Sequence, residues 1–497
     1  MRCISFAIFF LISFVATAQI RPAENDTLNY RLVGFSVPAQ PKTGSYLLEI
    51  AEGRFNNDYD FQKNIIYSKA YPANRIVETV PAFGKEYTWR ISYLNKRQRP
   101  NNKTPLRHFV TGYLAFTDTA RFRYRIIDTA TAHKDLIIFH DASRAAYDMS
   151  GMPVWFLPAI GDVIDSLTSI RDMEITPQGT ITFLAGSKAV EVNYDGELLW
   201  MAPNDGRVSN DTSEYYHHEF TRLANGNYMV AGHESGLREI PKGFDTTQLT
   251  QDRLVSKDGK RYIFSRQGTL IEYDPAKNVV WSWRSSQYFS NADIFGDNLQ
   301  SIANTHMNAF YFDELQRAVY VSFRDLSRVI KIKYPEGVVI AEYGQSIHGE
   351  PRQGNGMFYG QHCCRVNANG QLYLFNNNIP FTKDKRRRDV KGIISTVAIY
   401  DEPKNESGSL TKAWEQTCNI DTFAAYSSVG GGSVYELGDG AILVSMGSVN
   451  RDYIVGQDKK IVWNAVFEMK NGENWMPYAN YRSSPADHRK FLQLIFK

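Results

Sequence analysis

Val192-Asn193-Tyr194-Asp195-Gly196, with Trp200 shortly after, reads as a β-branched strand, a Tyr-Asp turn and an apolar strand ending in tryptophan. The pattern recurs along the chain. Ala146-Tyr147-Asp148 leads to Trp155, Ile271-Glu272-Tyr273-Asp274 to Trp281, and Ile332-Lys333-Tyr334-Pro335-Glu336-Gly337 to Tyr343. Ala398-Ile399-Tyr400-Asp401 leads to Trp414, and Val455-Gly456-Gln457-Asp458 to Trp463. Together these are six copies, unevenly spaced because the loops vary.

Five copies carry a second hairpin upstream, with turns at Pro177-Gln178-Gly179, Ala224-Asn225-Gly226, Phe312-Asp313-Glu314, Ala368-Asn369-Gly370 and Gly438-Asp439-Gly440. Asn-Gly and Asp-Gly supply the positive φ that a two-residue hairpin needs. Four strands per copy and six copies predict an all-β, six-bladed propeller over residues 130–497. The first copy lacks room for its inner strand. A strand from the tail, around Trp475 to Arg482, is expected to complete it and remove a free sheet edge.

Ahead of the repeats, Ser45 to Ile50 alternates as a half-buried strand, and Gly84 to Ile91 sets a turn before another. Residues 19–125 therefore read as a small β-sandwich resembling an immunoglobulin or fibronectin type III module, with Trp89 in its core. Residues 1–18 read as a signal peptide. Arg2 is followed by an apolar run from Ile4 to Val15 and a small-residue site at Ala16-Thr17-Ala18. The run is too short to span a bilayer, which needs roughly 20 apolar residues. The mature chain is expected to be periplasmic or secreted, with no membrane span.

A net charge of +3 on 497 residues argues for no nucleic-acid partner, and the Lys383–Arg388 run reads as a solvated loop. Cys3 leaves with the signal. Of Cys363, Cys364 and Cys418, either of the first two could bridge to the third. The odd thiol is then free or pairs between chains, so a homodimer is one expectation.

Counting back from the hairpin turns finds the chemistry. His218 to Gly226 aligns with His362 to Gly370 without a gap, so the two histidines are equivalent. His306 begins a third inner strand, slightly offset by its longer turn, and the last copy has Ser433 near this position. In a propeller these strand starts face one mouth of the central channel, so the three rings could converge. His217 should point the opposite way by strand alternation. His140, His233 and His348 lie off the register and read as structural or surface residues. Imidazoles are zinc or copper ligands, but the one nearby carboxylate, Glu219, should face away. Arg324, after Val319 to Phe323, instead supplies a permanent planar cation. Histidine with arginine suits a sulfuryl or phosphoryl group better than a metal.

These residues resemble the bacterial periplasmic arylsulfate sulfotransferase family. His217-His218-Glu219-Phe220 with Leu223-Ala224-Asn225-Gly226-Asn227 is similar to that family's His-His-Asp segment and its Pro-Asn-Gly-Asn turn. His306-Met307-Asn308-Ala309, with Val321-Ser322-Phe323-Arg324, resembles its His-x-Asn-Ser/Ala and Val-Ser-Ser-Arg pair. Gln361-His362 and Leu374-Phe375-Asn376-Asn377 resemble its Gln-His segment and Phe-Asp-Asn-Gly strand. The resemblance covers nearly the whole mature chain. It implies a transferase that needs no cofactor or metal and moves a sulfuryl group from an aryl sulfate to a phenol by a ping-pong route through a sulfohistidine. It also implies that His362 is the nucleophile and that Arg324, His218 and His306 hold sulfuryl oxygens. One of those histidines would exchange the phenol's proton, and Asn308 and His217 would contact substrate. Glu219 stands for the family's Asp, Phe323 for a Ser, and Cys363-Cys364 follow the nucleophile. The family's short-range disulfide has no obvious counterpart.

Two other readings stand beside this one. A non-catalytic propeller could bind an anionic ligand or a partner protein. A metal- or quinone-dependent oxidoreductase is disfavoured by the lack of a run of acidic ligands.

Overall fold

The computed structural model describes residues 20–129, 133–165, 168–247, 249, 253–296, 303–346, 352–380, 392–404, 408–422, 428–478, 480–487, 491 and 495. The leader segment, the Lys383–Arg388 run and His348 lie outside the described residues. The described chain is all-β, with two short α-helices, Asp58–Lys63 and Asn291–Ile294. No helix among the described residues is long and apolar enough to cross a membrane.

The chain divides into two compact units between Tyr113 and Leu114. The first has a sheet built around Ser45–Glu52 and Glu86–Leu94, and a two-stranded sheet of Leu32–Ser36 with Arg75–Thr79. Phe35 of the smaller sheet meets the buried Trp89 of the larger edge-on at 5.2 Å, a favourable aromatic geometry.

The second unit holds six antiparallel sheets. Each follows the strand–turn–strand pattern read from the repeats. The second sheet, for example, runs Ile170–Ile175, Ile181–Ala185, Lys188–Val192 and Leu198–Met201. The first strands of the other full copies are Tyr216–Arg222, Met307–Asp313, His362–Val366 and Ser433–Glu436. The first sheet takes its innermost strand from the tail, where Ser483–Asp487 pairs antiparallel with Leu136–His140. That strand starts after the Trp475–Arg482 segment expected from sequence. The Asn471-Gly472 turn folds Asn474–Pro477 back on Ile461–Asn471 instead, and Arg123 lies 4.1 Å over the Trp475 ring. Phe122–Asp128 also pairs with Ile461–Asn471, so this stretch belongs to the second unit.

The six innermost strands touch in a closed cycle, from Ile170–Ile175 round to Ser433–Glu436 and Ser483–Asp487, then back to the start. The outer aromatics bind each sheet to the next. Trp155 Nε1 donates to Tyr194 O at 2.8 Å, Trp281 Nε1 to Pro335 O at 2.9 Å, and Trp414 Nε1 to Gln457 O at 3.3 Å. Trp200 stacks on Tyr228 at 3.8 Å, and Tyr343 OH donates to Glu402 at 2.8 Å. Trp463 Nε1 closes the circuit on Met149 O at 3.1 Å. The repeated aromatic is therefore a tie between sheets.

The inner turns differ from the two-residue form. In the glycine-bearing turns only the glycine takes positive φ, as at Gly226 (+92°) and Gly370 (+78°), and in the longer turn after Asp313 the residue that does so is Arg317 (+48°). Gly226 N donates to Leu223 O while Leu223 N donates to Asn227 O, giving a three-residue turn with a glycine bulge.

Candidate active site

Four of the six inner strands kink at their start. The pairing register shifts between Arg171 and Glu174, Tyr216 and Phe220, Met307 and Ala309, and His362 and Cys364. Asp172, His218, His306 and Cys363 take left-handed φ of +58°, +66°, +49° and +54°. Such conformations cost on the order of 1–3 kcal/mol for residues other than glycine and cluster at functional sites. Bulges re-aim side chains. Here the left-handed turn at His218 cancels the alternation that should have pointed His217 away. The two Nδ1 atoms face each other at 2.6 Å.

His217, His218 and His306 line one cavity of about 220 Å³ together with Arg171, Arg266 and Asp325. The His218 and His306 rings are 5.4 Å apart. His233, set aside from sequence, also lines this cavity, with its ring 5.3 Å from His217. It sits on the long Tyr228–Glu239 strand, which carries it past its expected register. His140 is buried and pairs with Ser143 at 3.0 Å, away from the cavity.

His362 and Arg324 are buried beside the cavity, not among its lining residues. The His362 Nδ1 lies 2.7 Å from Asn377 Oδ1. Asn377 Nδ2 donates to Ser428 O (2.8 Å) and Gly431 O (3.2 Å), which orients the amide oxygen towards the ring. His362 must then carry its proton on Nδ1, and Nε2 keeps a lone pair. Gly431 N–H donates to that Nε2 at 3.3 Å. Arg324 reaches Asp325 Oδ1 at 3.3 Å and Val429 O at 3.4 Å, so the 428–431 segment gathers all three residues. The Tyr481 ring lies 5.9 Å from His218 and 6.5 Å from His362, and its buried hydroxyl has no hydrogen-bond partner among the described residues.

The electrostatics favour the neutral form of His362, His218, His217 and His233. Burial, then the Arg324 charge, holds His362 well below the usual histidine range. Burial and the neighbouring His217 do the same to His218. Burial drives His217 down to about 3 and His233 to about 4. His306 Nδ1 faces Asp325 Oδ1 at 3.1 Å, which orients its ring. Asn308 is fully buried and donates to Gln361 O at 2.7 Å, so it stands behind the cavity wall.

Among the described residues, the acidic group with ligand atoms within 4.8 Å of one another is Asp172, Glu174 and Glu219. It is already matched by guanidinium. Arg482 pairs with Asp172 and lies 3.4 Å from Glu219, while Arg365 reaches Glu174 at 2.6 Å and Glu219 at 3.2 Å. Asp172 also accepts Phe220 N–H, and Glu219 accepts Phe310 N–H, each latching the next inner strand. The cluster is structural. The three thiols are free and buried, so neither bridge to Cys418 forms. Cys363 and Cys364 donate to Val434 O and Tyr320 O, and Cys418 lies against the Tyr453 hydroxyl.

The arylsulfotransferase (ASST) family model matches residues 128–482. The chain belongs to the arylsulfotransferase family. No curated protein matches it. Solved structures similar to this arylsulfotransferase chain include a protein of unknown function from Bacteroides caccae, with 12% identity, 70% of this chain and 97% of that one covered, and a TM-score of 0.41. A streptogramin B lyase has 12% identity, 69% and 87% coverage, and a TM-score of 0.32. A catalytically inactive virginiamycin B lyase from Staphylococcus aureus with quinupristin has 10% identity, 73% and 98% coverage, and a TM-score of 0.33.

The two arginines of the cavity escaped the sequence reading. Arg171 stands eight places before Gly179, as His218 does before Gly226 and His362 before Gly370. The same count would have found it. Arg266, on the Lys260–Tyr273 strand opposite the one bearing His233, had no such signal.

Proposed function

We propose that this chain is an aryl-sulfate-dependent sulfotransferase of the periplasm or cell exterior, with its six sheets as the blades of a propeller that follows a small immunoglobulin-like sandwich in the sequence. The observation that carries this reading is the His362–Asn377 pair beside Arg324. It provides a neutral imidazole whose unprotonated Nε2 accepts only the long 3.3 Å contact from Gly431 N–H among the described residues, next to a fixed positive charge, and attack on an anionic sulfur ester requires such a nitrogen once that contact is given up.

In the first step His362 Nε2 bonds to sulfur, the sulfur–oxygen bond to the aryl group breaks, and the phenolate leaves with that electron pair. His306, oriented by Asp325, returns a proton to it. The sulfohistidine keeps its Nδ1 proton against Asn377, and the resulting positive ring is a good leaving group. In the second step the acceptor phenol loses its proton to His306, its oxygen bonds to sulfur, and the sulfur–nitrogen bond breaks. Arg324, His218 and the Gly431 N–H would hold sulfuryl oxygens throughout.

Purified protein with p-nitrophenyl sulfate and excess phenol should release p-nitrophenol in a phenol-dependent way. His362→Asn should abolish the sulfated protein seen by mass spectrometry. An intermediate on that variant would remove His362 as nucleophile. No phenol-dependent release in the unaltered protein would favour a non-catalytic anion-binding propeller.

A further inference from the structure

The cavity carries more positive charge than one sulfuryl group needs. Arg171 and Arg266 both line it and both are exposed. Arg171 makes a cation–π contact with Tyr481 at 4.8 Å. Asp325 is the carboxylate among the described lining residues, and it is already engaged by His306 and Arg324. The two arginines also sit at different ends of a row of rings. His218 is 4.7 Å from His217, which is 5.3 Å from His233. Arg171 shares the strand position of His218, whereas Arg266 pairs with Ser235, two residues along from His233 on the same strand. Exposed Tyr215, 4.8 Å from His233, adds an aromatic wall. The cavity volume lies below the roughly 300–1,000 Å³ of drug-sized sites, so it suits a single aromatic ring.

We propose that Arg171 meets the sulfuryl end of the substrate, and that Arg266 recognises a second anionic group, a carboxylate, at the far end of the same ring. The substrate class would be aryl sulfates and phenols bearing an acidic side arm. A guanidinium fork matches a carboxylate in two parallel hydrogen bonds. This assignment rests on the transferase reading for its chemistry but not for its binding.

The test compares 3-(4-hydroxyphenyl)propanoate with its amide as acceptors from p-nitrophenyl sulfate. The saturated arm insulates the phenol, so the two differ in charge and not in nucleophile. The carboxylate should be preferred in kcat/KM by about tenfold or more at low ionic strength, the size of a charge-assisted contact. The preference should shrink with added salt. Arg266→Gln should bring the ratio close to one, whereas Arg171→Gln should slow both acceptors alike. A wild-type ratio of one, or a ratio that survives Arg266→Gln, overturns the proposal. Calorimetric binding of the same two phenols to wild type and Arg266→Gln is measured in parallel. If the wild type shows no turnover, the transferase reading fails. The calorimetric preference for the carboxylate, and its loss in Arg266→Gln, then decides the anion site separately.

Discussion

Asn377 Oδ1 lies 2.7 Å from His362 Nδ1, and the two bonds made by the Asn377 amide nitrogen prevent the group from flipping. One side chain thus decides which ring nitrogen is available.

Asn377→Leu removes that control. The burst of p-nitrophenol should slow by between about 10² and 10⁴, the range seen when a fixed donor or the correct tautomer is lost elsewhere. Rapid-quench kinetics would measure it. An unchanged burst would mean the tautomer does not limit attack.

The pH profile follows from burial and Arg324, which both oppose the imidazolium form of His362. The nucleophile should therefore stay neutral below the ordinary histidine pKa of about 6.5, and the acidic limb of the burst should fall under that pH. Arg324→Gln removes a positive neighbour, so the limb should move to higher pH. The same variant should slow transfer by ~100-fold or more through lost charge stabilisation. A limb that stays in place separates the two roles of Arg324.

Trp463 is fully buried and donates to Met149 O. Trp463→Phe should cost about 1–3 kcal/mol by leaving a buried carbonyl unpaired, measured by urea denaturation. The corresponding change at Trp414, whose indole nitrogen is exposed and bonds at 3.3 Å, should cost less.

The three cysteines should resist thiol reagents until the protein unfolds. Burial raises each thiol, Cys418 to about 12, and thiolate is the reactive form. Reductant should leave the melting temperature unchanged.

Much of this was legible because the repeat provides a ruler. Counting from Gly226 and Gly370 finds His218 and His362, and counting from Gly179 finds Arg171, which a search for histidines alone passes over. Other features leave no local trace. His217 faces the cavity because His218 adopts a left-handed conformation, and period-two alternation cannot anticipate that. The cover over His362 comes from the distant 428–431 segment. The closing strand, Ser483–Asp487, is polar and contains Pro485, so it lacks the apolar alternation that marks a strand.

That late strand has a consequence for biogenesis. The innermost partner of Leu136–His140 lies more than about 340 residues further along the chain. The circle of sheets therefore stays open until Ser483–Asp487 has been synthesised, and shortening the chain before Ser483 should cost activity without deleting a single histidine of the cavity.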